Sequence, residues 1–255
     1  MAHAAHRPDR VESGRRWAMA MRWVDLLFMH WRLPRADVQA LLPAGLVVDT
    51  FAGSAWLGVI PFEMQRVRPR GLPPLPGLSR FGELNVRTYA SLADDPAVSG
   101  VWFFSLDASN AIAVAAARRA FHLNYQRADM AIERVGDGSI RYRSRRTHPG
   151  GGAAEFDATY RPLGGGETLF ESHTDDLADF LTSRYRLFAD TPRGLAVGEI
   201  DHGPWRLRPA ACELRTNTMA APLGLRLPGV DEAVLHVAEP LDVRAWALRG
   251  AQRDE

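Results

Sequence analysis

The chain has 255 residues, 46% hydrophobic and 24% charged, with a formal net charge of +1; this is ordinary globular composition, and charge alone points to no nucleic-acid partner. All 31 basic side chains are arginine, which stays protonated and forms no Schiff base, so lysine-dependent covalent chemistry is excluded. The single cysteine, Cys212, rules out an intramolecular disulfide and a multi-cysteine metal site, and no apolar run approaches the roughly 20 residues that a membrane-spanning helix needs.

Residues 1–16 contain His3, His6, Arg7, Arg10, Arg15 and Arg16 and lack the apolar core of a secretory signal. A flexible tail is expected there, in a cytoplasmic protein whose residues 17–250 form one domain. Short apolar or alternating runs bounded by Gly and Pro predict strands over 23–31, 46–51, 55–64, 83–91, 100–106, 130–135, 139–146, 155–161, 195–200, 211–217, 233–238 and 242–247. Three helices are expected between them. The first runs over 36–42 and is stopped by Pro43; the second runs over 107–121, with Asp107 or Ser109 as N-cap and Arg118 and Arg119 near its end. The third runs over 174–188, where Leu177, Phe180, Leu181, Arg184 and Tyr185 recur at helical spacing. Arg66 to Gly77, with Pro69, Pro73, Pro74 and Pro76, is expected to avoid regular pairing, as a lid or an extended connector. Gly136-Asp137-Gly138 and Gly150-Gly151-Gly152 supply turns for a meander over 127–161. The fold class is mainly β.

One strand stands out. Period two in 83–89 puts Glu83, Asn85, Arg87 and Tyr89 on one face and Leu84, Val86 and Thr88 on the other. That polar face is either a solvated sheet surface or the lining of a polar interior, where Arg87 can hold a carboxylate or enolate and Glu83 can move a proton. In the next strand Val101, Phe103, Ser105 and Asp107 are expected to share one face and Trp102, Phe104 and Leu106 the other. Both faces are largely apolar, which favours a covered sheet.

The strings Phe81-Gly82-Glu83-Leu84-Asn85-Val86-Arg87-Thr88-Tyr89, Val101-Trp102-Phe103-Phe104-Ser105-Leu106-Asp107-Ala108, Phe180-Leu181-Thr182-Ser183-Arg184-Tyr185 and His202-Gly203-Pro204-Trp205 resemble the uncharacterised bacterial family typified by YqjF, over about residues 23–248. That family is similar in turn to acetoacetate decarboxylase, and the resemblance implies a closed or nearly closed, cone-shaped antiparallel β-barrel with flanking helices and a buried ligand cavity. The segment Ala36 to Leu46 resembles the early helix and following strand of that enzyme, and Glu83 falls where it keeps an active-site glutamate. Where the enzyme carries two adjacent lysines, one of them the Schiff-base residue, this chain has Phe121 and His122. Decarboxylation through an iminium is therefore excluded. His122 remains either a helix cap or core residue, or a proton-transfer group in the cavity.

The six histidines beyond the tail are scattered singly, so no metal is expected, and no cofactor motif is present: the Gly164 and Gly150 triplets lack the context of phosphate loops. No Gly-x-Ser-x-Gly elbow supports a serine nucleophile. Arg141, Arg143 and Arg145 alternate with Ile140, Tyr142 and Ser144, and together with Arg146 read as a mostly solvated strand face. Arg184 is expected to reach a buried acid, Glu83 or Asp107. His202 is either part of a turn packed by Trp205 or a site residue. The leading expectation is a small-molecule enzyme using non-covalent acid/base chemistry on a carbonyl-bearing or conjugated substrate: enolisation, dehydration, hydrolysis or cyclisation. Its catalytic residues are Glu83, Arg87 and His122, and its substrate-binding residues Asn85, Tyr89, Ser105, Tyr125, His202 and Trp205. The alternative is binding or sensing of an apolar small molecule without turnover. The expected partner is that small molecule, with no nucleic acid and no membrane; homo-oligomerisation stays open.

Overall fold

A computed structural model describes residues 15–251. In chain order these form β1 (Met19–Val24), β2 (Leu26–Leu33), α1 (Arg35–Gln39), β3 (Leu46–Val48), β4 (Ala55–Pro69), β5 (Phe81–Leu92), β6 (Ser99–Ala108), α2 (Ala111–Phe121), β7 (Tyr125–Arg134), β8 (Ile140–Arg146) and β9 (Glu155–Pro162). There follow β10 (Phe170–Glu171), α3 (Asp176–Thr182), β11 (Arg186–Thr191), β12 (Gly194–His202), β13 (Arg206–Asn217), β14 (Val234–Ala238), β15 (Leu241–Ala245) and β16 (Arg249–Gly250). The expected tail lies outside the described residues except for its last two. Of these, Arg15 is tied down, donating to Glu199 at 3.0 Å and accepting from the Trp246 indole at 2.9 Å.

Strand pairing closes on itself twice. One circuit runs β4-β1-β15-β12-β11-β6-β5 and back to β4; the other runs β4-β2-β14-β13-β9-β8-β7-β6-β5 and back. The two share the wall β4-β5-β6, so every residue of β5 is buried. Leu84 and Val86 face the larger circuit, filled by Leu27, Met29, Leu57, Tyr142, Phe156 and other apolar side chains. Glu83, Asn85 and Arg87 face the smaller one. The mainly β, closed architecture is as expected.

Partner exchange along β4 explains a proline inside a strand. Val59 is the last β4 residue paired with β2, and Glu63 the first paired with β1. Pro61 lies between them, where that edge requires no donated N–H. Asp25, with φ of 54°, makes the matching break that splits the single expected strand 23–31 into β1 and β2. The proline-rich segment is also more regular than expected, since β4 continues to Pro69, paired with Met19.

All three helices differ from expectation, α1 by ending at Gln39, three residues early. The N-cap of α2 is Asn110, whose Oδ1 accepts from the Ile112 and Ala113 amides at 3.1 and 3.0 Å; Asp107 stays in β6, and Ser109 caps nothing but accepts from the Gly82 amide at 3.0 Å. α3 ends at Thr182, six residues early. Arg184 Nε takes the Phe180 carbonyl at 2.9 Å, satisfying a helix-end acceptor. Leu187 and Phe188 then join β11, alongside Val101 and Trp102 of β6, so sheet pairing overrides the helical periodicity.

A bulge in β6 corrects the expected faces. Val86 pairs with Ser105 but Arg87 with Phe103, leaving Phe104 as an extra residue. A one-residue slip inverts which way the strand's side chains point. Val101 and Phe103 therefore line the smaller circuit with Arg87. Ser105 and Asp107 turn to the opposite face, where the buried Arg146 meets both: its Nη2 is 2.9 Å from Ser105 Oγ and 2.7 Å from Asp107 Oδ1. Asp107 is thus paired with Arg146, not Arg184. Arg141, Arg143 and Arg145 point outward and pair with Asp157, Glu133 and Asp129. Among the described residues, no helix is long and apolar enough to cross a membrane.

Candidate active site

The smaller circuit encloses a cavity of about 50 Å³, several times the roughly 10–15 Å³ that one ordered water requires. Its polar wall is β5, which contributes Glu83, Asn85 and Arg87. Its other walls combine aromatic and aliphatic side chains with Thr182, Arg184, Arg186 and His202. Trp23 and Trp205 stack at 5.8 Å with planes 14° apart, Phe28 meets Trp205 edge-on at 5.0 Å, and Tyr185 stacks on His202 at 4.7 Å. The Trp205 indole donates to the Thr182 carbonyl at 2.9 Å. His202 Nδ1 lies 2.6 Å from the Gly203 carbonyl, which only accepts, so this nitrogen carries the proton.

Glu83 is 2% exposed. Its Oε2 accepts from the Tyr125 hydroxyl at 2.9 Å, and no described cation pairs with it. Burial pushes the carboxyl up to about 8, against the pull of the Tyr125 bond. It is therefore a neutral acid near pH 7, and a group that titrates near working pH suits proton transfer in either direction.

Arg87 is the converse case. It is buried, and its Nη2 donates to the Leu181 carbonyl at 3.1 Å and the Tyr89 hydroxyl at 3.3 Å. The guanidinium lies 5.4 Å over the Phe28 ring. Nε has no partner, and no carboxylate pairs with Arg87 among the described residues. Its neighbour Arg184, which was expected to reach Glu83 or Asp107, instead pairs with Asp49 at 2.8 Å. An uncompensated guanidinium beside a neutral carboxyl leaves the cavity positive, and an anion bound there would relieve the cost of the buried charge. Asn85 Oδ1 is likewise buried without a partner.

Behind Arg87 stands a fixed support. The Tyr89 hydroxyl donates to the Leu181 carbonyl at 2.5 Å and faces His30 Nε2 at 2.6 Å. With the phenol proton given to a carbonyl, Nε2 must be the imidazole N–H. Burial and nearby Arg87 hold His30 well below the usual histidine range, so it stays neutral. Gly58 makes room for the ring, since a Cβ there would lie 3.0 Å from two of its atoms.

The structure thus brings Glu83, Asn85, Arg87, Tyr89, Tyr125, His202 and Trp205 together and leaves two expected residues out. Ser105 is on the far face of β6. His122 is exposed, in the left-handed conformation that ends α2 (φ 48°, ψ 28°), and the side chain that meets the Glu83 carboxyl is Tyr125, three residues further on. Trp23, Phe28, Phe62 and Phe103 are lining residues that the sequence reading missed. The alternation of Leu26, Phe28 and His30 is a signal that could have placed Phe28 and His30 on the site face.

The family model DUF2071, an uncharacterized conserved protein, matches residues 20–242. The uncharacterized protein YqjF of Bacillus subtilis (strain 168) is 41% identical over 233 residues, 91% of this chain and 92% of that protein. Among solved structures, the chain is similar to the enduracididine biosynthesis enzyme MppR complexed with the condensation product of pyruvate and imidazole 4-carboxaldehyde (TM-score 0.59, 11% identity, 91% of this chain and 88% of that one). It is also similar to acetoacetate decarboxylase from Legionella pneumophila (TM-score 0.57, 13% identity, 95% and 93%), and to an acetoacetate decarboxylase-like enzyme from Sphingomonas wittichii RW1 (TM-score 0.54, 14% identity, 94% and 94%). At these identities the structural likeness establishes the fold, which is acetoacetate decarboxylase-like. By the extent of the family match and the identity to YqjF, the chain belongs to the DUF2071 family.

Proposed function

We propose that this protein is a small-molecule enzyme that carries out non-covalent acid/base chemistry, centred on enolisation, on a small carboxylate bearing a carbonyl or conjugated group. The observation that carries this reading is the presence, on one strand face, of a buried Glu83 whose carboxyl burial pushes up to about 8 and a buried Arg87 with which no described carboxylate pairs. Arg87 anchors the substrate anion, held in place by Tyr89 and Leu181. Asn85 lies between the two and orients the carbonyl or its enolate. Glu83 exchanges a proton with the adjacent carbon or oxygen, and the aromatic walls exclude water and so strengthen these electrostatic contacts. With no lysine in the chain, the reaction runs without an iminium. One solved relative in fold supports the ligand class: MppR is complexed with pyruvate in one structure and with a pyruvate condensation product in another. His122 and Ser105 take no part.

The test is solvent deuterium exchange at the carbon next to the carbonyl of small keto acids, followed by NMR. Wild-type protein is expected to catalyse exchange, Glu83→Gln to abolish it, and Arg87→Met to weaken carboxylate binding by at least about 100-fold, the scale of losing a charge-assisted contact. Binding of the same acids with no exchange would identify a sensing or sequestering protein instead. No binding at all would overturn both readings.

A further inference from the structure

We infer that Tyr125 is a positioning residue that directs the Glu83 proton onto one carboxyl oxygen, Oε1, the oxygen available to a ligand in the cavity. This rests on the proposed acid/base role of Glu83. The inference stands on geometry. The Tyr125 hydroxyl donates to Oε2 at 2.9 Å, and a carboxyl oxygen already accepting a hydrogen bond from a phenol is the poorer place for a second proton. Oε1 has no partner among the described residues, and Glu83 borders the cavity.

The chain spends several contacts on placing Tyr125. α2 ends at His122 in the left-handed conformation, which turns the chain into β7. Arg118 Nη1 holds the Tyr125 carbonyl at 2.7 Å. β7 then runs parallel to β6, with Leu106 opposite Tyr125, while Leu106 is itself opposite Asn85; the phenol therefore reaches across one strand to the Glu83 side of the wall. Tyr142 secures the other end of the same residue, its hydroxyl donating to the Glu83 backbone carbonyl at 2.9 Å. Burial and the Glu83 charge hold the Tyr125 phenol well above its usual range, so it remains a donor. Tyr125 of β7 meets the Glu83 carboxyl directly; the other polar and charged groups on the same cavity wall are Asn85 and Arg87 from β5, His202 from β12, and Thr182, Arg184 and Arg186. The flanking strands place uncharged Phe62 and Ala108 opposite it.

The experiment is an NMR titration of the free protein carrying ¹³C labels at glutamate Cδ and tyrosine Cζ. One of the five tyrosines is expected to shift with the Glu83 midpoint, and that shift to vanish in Glu83→Gln. In Tyr125→Phe, which keeps the ring, the Glu83 midpoint is expected to rise by about one to two pH units, the scale of one hydrogen bond to a charged group. A tyrosine set blind to the Glu83 titration, or an unmoved midpoint in Tyr125→Phe, overturns the inference and leaves the proposed reaction standing. The wild-type tyrosine readout holds even where the Phe variant fails to fold. A Glu83 midpoint near 4.5 in wild-type protein overturns both.

Discussion

Replacing Glu83 with glutamine removes one titration from the protein while keeping an acceptor for Tyr125. In the fold the Glu83 carboxyl sits at about 8, against 4.5 for an ordinary glutamate. Between those values the folded state holds a proton that the unfolded chain has released. Stability contributed by this group is therefore fully present below about 4.5 and is lost as pH rises through about 8, at about 1.4 kcal/mol per pH unit. The whole displacement corresponds to roughly 5 kcal/mol, and a comparison between about pH 5 and pH 8 samples about 4 kcal/mol of it. Burial also raises Asp25 and Asp107, but both titrate in the wild type and in the variant, so their contributions cancel in the difference. The assay is urea unfolding of both proteins at the two pH values. The stability of Glu83→Gln relative to wild type is expected to increase by about 4 kcal/mol from the lower to the higher pH. Parallel pH dependences would refute the reasoning, because they would mean that Glu83 is already ionised in the folded protein.

Two further predictions concern residues outside the cavity. Asp107→Asn, which breaks the fully buried pair with Arg146, is expected to cost about 3–5 kcal/mol in denaturant unfolding, while Arg145→Ala, on the solvent face, leaves the midpoint in place. His122→Gly is expected to keep deuterium exchange intact and to change stability by no more than about 1 kcal/mol, because glycine adopts the left-handed cap freely; loss of exchange would return His122 to the site.

How far the site is legible in sequence can be judged residue by residue. Glu83, Asn85, Arg87 and Tyr89 share a face because a strand backbone alternates every two residues, whatever surrounds it. Ser105 breaks the same rule, because the bulge at Phe104 is a property of how β6 pairs with β5. His122 and Tyr125 are three residues apart, and nothing local distinguishes them as site candidates. The left-handed cap makes the first a turn and delivers the second to Glu83.

From the chain alone follow the absence of a Schiff-base lysine, the mainly β class and the polar stripe of β5, since each depends only on composition or on local backbone period. Only the tertiary structure decides that this stripe lines a cavity inside the fold, that no described carboxylate pairs with Arg87 while Arg184 finds Asp49, and that burial pushes the Glu83 carboxyl up to about 8. Those properties arise from burial and from charges brought together across distant strands. Desolvation and pairing over such separations are set by packing, and no local pattern of residues encodes them.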